Sequence, residues 1–165
     1  MALAPYDSPL NQTTTKATHA RKIQDVRVIQ WTLRLRIRKE IMEAKDTVKY
    51  GIVGVGMMGR EHLINLHHLR SEGVAVVCIA DPHLPSQQLA QELAHSFNWP
   101  IKVYSGHQEL LDSGLCDVVV VSTPNMTHFQ ILMDIINHPK PHHVLVEKPL
   151  CTTVVDCQKV YHYLY

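Results

Sequence analysis

From residue 48 onward, short apolar runs alternate with longer stretches of mixed polarity. Tyr50–Val53, Val74–Ala80, Ile101–Tyr104, Val118–Val121 and Val144–Val146 have the length and composition of strands, and the segments between them have helix length. Strands alternating with helices imply βαβ units and a parallel sheet. The unbroken run Val118-Val119-Val120-Val121 suits a central parallel strand covered on both faces. Right-handed crossovers then predict an α/β protein built on a doubly wound parallel sheet. After Pro149 the pattern leaves room for one more helix, roughly Val154 to Tyr163, with Thr152 or Thr153 as its cap and Asp156 in its first turn.

The first 45 residues read differently. They carry no sustained periodic apolar pattern at their start, where prolines and the run Thr13-Thr14-Thr15 favour disorder. Toward their end, Trp31, Leu33, Leu35 and Ile37 alternate with Thr32, Arg34, Arg36 and Arg38, whereas Ile29, Leu33, Ile37 and Ile41 fit a helical stripe. We therefore expect residues 1–45 to be an extension, largely disordered or partly helical, and residues 46–165 to be the folded domain. The basic, threonine-rich character of residues 1–41 raises organelle targeting as an alternative to a dispensable extension in a cytoplasmic protein.

Composition narrows the function classes. A chain of 165 residues, 45% hydrophobic, can bury one core but is short for two full domains. A formal net charge of +1 gives no electrostatic case for nucleic acid. No apolar run approaches the roughly 20 residues that cross a bilayer, so no membrane partner is expected. The four cysteines, Cys78, Cys116, Cys151 and Cys157, form no C-x-x-C pair and read as reduced thiols. The adjacent pairs His67-His68 and His142-His143 point their rings in different directions, so no metal site is expected.

The chemistry gathers at the ends of the strands. The first runs into Gly54-Val55-Gly56-Met57-Met58-Gly59, a G-x-G-x-x-G loop that opens a helix. In such a loop the first glycine allows the turn, the second lets backbone approach a pyrophosphate, and the third lets helix and strand pack closely. The phosphates then meet the unpaired N–H groups and positive dipole end of the helix. The second strand ends in Asp81, about twenty residues beyond Gly59, where a carboxylate accepts hydrogen bonds from the adenosine ribose and repels a 2′-phosphate. NAD is therefore expected, with NADP possible if His83 and Ser86 hold the 2′-phosphate. The fourth strand exits into Ser122-Thr123-Pro124-Asn125-Met126-Thr127-His128 and the fifth into Glu147-Lys148-Pro149.

With the glycine loop, the T-P-N exit followed by T-H, and the E-K-P exit in this order, residues 48–160 resemble the Gfo/Idh/MocA family of NAD(P)-dependent oxidoreductases, after glucose-fructose oxidoreductase, inositol dehydrogenase and MocA. The resemblance implies a Rossmann-type NAD(P)-binding domain and hydride transfer between a nicotinamide cofactor and a sugar, polyol or related hydroxy compound. It implies that Gly54, Val55, Gly56, Met57, Met58 and Gly59 surround the pyrophosphate and that Asp81 meets the ribose. Ser122, Thr123, Pro124 and Asn125 would pass along the cofactor toward its nicotinamide, with His128 opening the next helix and Glu147 beside the cofactor. Lys148 matches the family's substrate-side lysine, the candidate catalytic residue.

Family members continue past E-K-P into a mainly antiparallel α+β domain that holds the substrate pocket. We expect this chain to lack it, to bind the dinucleotide, and to meet a small-molecule substrate only in a longer form. Catalysis would then be incomplete in this chain alone, since alcohol oxidation also needs a positioned base. A non-catalytic dinucleotide-binding module acting through a partner is the alternative. The uncovered sheet edge and apolar surface invite self-association into a homo-oligomer, or poor solubility.

Overall fold

The computed structural model describes residues 47–164. The expectations for the extension and for targeting lie outside those residues. Five strands, β1 (Val48–Val53), β2 (Val74–Ala80), β3 (Lys102–Tyr104), β4 (Val118–Val121) and β5 (His143–Val146), form one sheet in the order β3-β2-β1-β4-β5. Every pairing is parallel. The order runs outward from β1 through β2 to β3, then reverses to β4 and β5. This is the doubly wound sheet that the alternation predicts, and its switch point lies between β1 and β4.

Five helices connect and flank the strands: α1 (Met57–His68), α2 (Leu84–Ser96), α3 (His107–Asp112), α4 (His128–Ile136) and α5 (Val154–Leu164). They give the sheet a core on each face. Ile52, Val76, Ile79 and Val120 pack with Leu63 and Leu66 of α1 and Ala90 and Ala94 of α2. On the other face Val53, Cys78, Ala80, Val119 and Val121 pack with Leu110 and Leu111 of α3 and Ile131 and Ile135 of α4. Val119, Val120 and Val121 are fully buried, as a central strand requires.

One irregularity in β2 decides which way its end faces. Tyr50 pairs with Val76 but Gly51 pairs with Cys78, so the register shifts by one residue at Val77. Val76 therefore packs with α1 and α2, while Cys78, an even number of positions later, packs with α3 and α4. An extra residue in a strand flips the facing of everything after it. Ala80 and the following Asp81 inherit that flip.

The last helix closes the cluster of Leu132, Cys151 and Val160. Thr153 caps it: the Asp156 N–H donates to Thr153 Oγ1 at 3.1 Å, and Thr153 Oγ1 donates back to Asp156 Oδ2 at 2.7 Å. Burial, together with the neighbouring Cys157, raises the Cys151 thiol to about 11. Cys78 lies far above the ordinary thiol range, through its hydrogen bond with Cys116 and its burial.

Candidate dinucleotide site at the strand ends

The strand exits are tied into one row. Asp81 N–H donates to Tyr104 O at 3.1 Å, Gly54 N–H to Ala80 O at 2.8 Å, Ser122 N–H to Val53 O at 2.9 Å and Glu147 N–H to Val121 O at 2.9 Å. Each exit residue thus extends the hydrogen-bond ladder one rung beyond its strand. The row carries Asp81, Gly54, Ser122 and Glu147 across the carboxyl edge of the whole sheet, where open α/β sheets place their ligands.

The three glycines of the loop meet different neighbours. Gly54 has φ +83°, and a Cβ there would come within 2.8 Å of the Ser122 backbone. A Cβ on Gly59 would overlap the Gly54 carbonyl oxygen, so this glycine lets α1 pack onto the loop. Around Gly56 a Cβ would meet nothing within 4 Å. Internal packing therefore does not require glycine at position 56, and the open space lies at the N-terminus of α1. Gly56 is the N-cap of that helix and no side chain caps it. The first-turn N–H groups are left for a ligand, which is the fit a pyrophosphate needs. Met57 and Met58 are exposed in this turn.

Side chains brace the loop from both sides. Asp81 accepts the Val55 N–H on Oδ2 at 2.8 Å and the His83 N–H on Oδ1 at 2.8 Å. Ser122 Oγ donates to Gly54 O at 2.7 Å, and Arg60 Nη1 donates to Val55 O at 2.9 Å. Each Asp81 oxygen keeps lone-pair capacity for a further donor. His83 and Ser86 bond to each other, Nδ1 to Oγ at 2.9 Å.

Across the sheet, the two later exits are held by histidines. His128 is fully buried, with Nε2 2.9 Å from Thr123 O and Nδ1 2.9 Å from Pro149 O. It ties the T-P-N loop to the E-K-P segment rather than facing the cleft. The Lys148–Pro149 bond is cis. His62 of α1 donates through Nε2 to Glu147 Oε1 at 2.7 Å, and this bond lowers the Glu147 carboxyl below its ordinary value. Pro124, Asn125 and Lys148 are exposed.

A cleft of about 600 Å³ opens beside Asp81, between the exits of β2, β3 and β4. It is walled by Gly54, Ala80, Pro82, Thr123 and Ile131 together with Ser105–His107 of the β3 exit. That third exit carries no motif in the chain. Its only signal was position, the C-terminal end of a three-residue strand followed by a glycine. Arg60 and His107 carry no motif signal either, and the Asp134 partner of His107 lies 27 residues away in the chain.

Comparison with known proteins agrees with this architecture. Residues 48–164 match the model of the Gfo/Idh/MocA group, described as an oxidoreductase family with an NAD-binding Rossmann fold. The chain is 34% identical over 114 residues to the inositol 2-dehydrogenase of Salmonella typhimurium, covering 69% of this chain and 32% of that protein. It is 27% identical over 124 residues to a glycosyl hydrolase family 109 protein of Shewanella pealeana, covering 73% and 26%. Among solved structures, the myo-inositol dehydrogenase of Lactobacillus casei, in complex with NAD(H) and myo-inositol, superposes with a TM-score of 0.62 at 26% identity, covering 71% of this chain and 33% of that one. The chain thus spans about a third of the length of the curated relatives it matches. No helix among the described residues is long and apolar enough to cross a membrane. These matches have enzyme names and lend no support to a non-catalytic module. Its fold, its glycine loop and these matches together show that the chain belongs to the Gfo/Idh/MocA oxidoreductase family, whose NAD-binding Rossmann domain it carries.

Proposed function

We propose that this domain binds NAD across the carboxyl edge of the sheet and serves an oxidoreductase acting on a sugar, polyol or related hydroxy compound. The observation that carries the reading is the row of exit residues, Asp81, Gly54, Ser122 and Glu147, aligned beside an uncapped helix N-terminus with open space at Gly56. The pyrophosphate lies over Gly54–Gly59, against the first turn of α1. Asp81 receives the adenosine ribose hydroxyls, and the cleft beside it takes the adenine. Thr123, Pro124 and Asn125 follow the cofactor toward its nicotinamide, with His128 and Glu147 holding the two exit segments in place.

Asp81 favours NAD over NADP. Its carboxylate is fixed by two backbone N–H groups and so cannot easily swing away from a 2′-phosphate, which it would repel. Bound NAD supplies the hydride acceptor for oxidising a CH–OH carbon. Lys148 stands on the nicotinamide side, where its ammonium orients the substrate and polarises its oxygen. The exposed apolar residues Val144, Leu145, Val154 and Val155 support a homo-oligomer, which sedimentation velocity tests.

Fluorescence titration of the chain with NADH and NADPH tests the cofactor reading. Saturable NADH binding, at least about tenfold tighter than NADPH, is expected. Equal affinities would overturn the NAD preference, and no binding of either would overturn the site. For Lys148, the Lys148→Ala substitution in an enzyme that turns over should lower kcat sharply. Full turnover would remove it from the chemistry.

A further inference from the structure

The cleft beside Asp81 ends on a hydrogen-bonded trio that the family motifs do not include. His107 Nε2 lies 2.8 Å from Asp134 Oδ2, and Gln130 Nε2 lies 2.8 Å from Asp134 Oδ1. His107 and Gln130 line the cleft, whereas Asp134 stands behind them and does not. The His107 and Asp134 side chains are each 23% exposed, so the pair is largely withdrawn from water.

The chemistry of Asp134 fixes what its partners present. An ionised carboxylate only accepts, so His107 must carry its proton on Nε2 and Gln130 must turn its NH2 toward Asp134. The atoms left over are His107 Nδ1, in the neutral ring, and Gln130 Oε1. Both are acceptors, and neither has another partner among the described residues. Asp81, an acceptor that also lines the cleft, is assigned to the ribose in the cofactor reading, and the remaining polar lining groups do not select in the same way. Thr127 Oγ1 is already bonded to Thr123 Oγ1 and Pro124 O, and the Ser105 hydroxyl rotates to suit either kind of partner.

We propose that His107 and Gln130, oriented by Asp134, form an acceptor pair that reads the 6-amino group of the adenine ring. This rests on the cofactor reading above and adds to it the residues that choose the base. Adenine offers two N–H donors at that position. Hypoxanthine offers a carbonyl oxygen there, which would face two acceptors and leave all three unpaired. Asp134 acts through its two neighbours and is a positioning residue.

The test compares binding of NAD with that of nicotinamide hypoxanthine dinucleotide, by calorimetry at pH 8, where imidazole in water is neutral. The wild-type chain should prefer NAD by about tenfold. His107→Ala and Gln130→Leu should each narrow that preference to about threefold, with far-UV circular dichroism unchanged. Gln130 is exposed, so its variant keeps the test valid should His107→Ala fail to fold. Affinities within about twofold in the wild type would overturn the inference while leaving the cofactor site standing. So would full preference in a folded Gln130→Leu variant. Failure of the wild type to bind either dinucleotide would overturn the cofactor reading and this inference with it.

Discussion

The two halves of the strand-exit row are built to different degrees of completion. On the β1–β2 side, Asp81, Ser122 and Arg60 brace the glycine loop through bonds of 2.7–2.9 Å, and a cleft stands ready beside them. On the β4–β5 side, Glu147 and Pro149 are anchored by His62 and His128, yet Lys148 between them is exposed. β5 itself leaves Val144 39% and Leu145 48% exposed. The difference teaches where binding and chemistry separate. On the proposed reading, the adenosine half of the cofactor meets braced residues, whereas the substrate-side lysine stands exposed.

The sharpest way to test that division is through two glycines of one loop. Gly59→Ala drives a Cβ into the Gly54 carbonyl, so α1 must move off the loop. We expect a loss of about 2–4 kcal/mol in stability and no measurable NADH binding. Gly56→Ala meets no protein atom and sits at φ −60°, which alanine adopts freely. Its unfolding midpoint should hardly change, while NADH affinity falls by roughly ten- to a hundredfold because the methyl occupies the pyrophosphate's space. Equal effects of the two on stability would break the assignment of position 56 to the ligand.

Asp81→Ala is expected to rank next. It removes the acceptor of the Val55 and His83 N–H groups and the ribose partner together. NADH affinity should fall by roughly thirtyfold, about 2 kcal/mol, with NADPH affected less. Unchanged or improved NADH binding would exclude the ribose role.

Sequence periodicity carries much of this fold and less of the site. The five apolar runs coincide with the five strands, β1 and β5 beginning one or two residues earlier than expected and β3 one later. Parallel pairing follows from the alternation. The bulge at Val77 does not, because Val76, Val77 and Cys78 are all apolar and buried runs show no parity. The glycine loop and strand-end Asp81 are local patterns and stand out in the chain. The bond from His62 to Glu147 spans 85 residues and that from His107 to Asp134 spans 27, so only the folded sheet brings them together. The T-P-N motif places His128 only at the start of the next helix, as a packing or cofactor-adjacent residue. Its complete burial between two carbonyl oxygens, which makes it a tie between two loops, appears only in the folded chain.

On the β4–β5 side, acid probes the anchoring of the lysine segment. The His62 hydrogen bond, the largest cause, holds the folded Glu147 carboxyl below its ordinary value of 4.5. A group depressed in the folded state contributes stability above its unfolded value, and that contribution disappears as pH falls through the folded value. Carbon-detected NMR titration should therefore place the Glu147 midpoint below that of free glutamate. His62→Ala should return it toward the ordinary value and loosen the Glu147–Pro149 segment, seen as faster amide exchange at Lys148. NADH affinity should fall only a few-fold, since the brace lies on the nicotinamide side. A Glu147 midpoint that does not move would show that the 2.7 Å bond does not persist in solution.

The smallest effect belongs to the cap of α5, and it asks whether this side can lose stability without losing the cofactor. Thr153→Ala removes the acceptor of the Asp156 N–H and the reciprocal bond to the Asp156 carboxylate. Loss of such a cap costs about 1 kcal/mol, equivalent to a drop in Tm of roughly 3–5 °C for a domain of this size. α5 packs on α4 through Val160 and Leu132, and it contributes no residue to the cleft beside Asp81. Thermal unfolding should thus register the loss while NADH affinity stays within about twofold. A parallel fall in affinity would mean that the two halves of the row are coupled through α4, and the division between a binding side and a chemistry side would have to be abandoned.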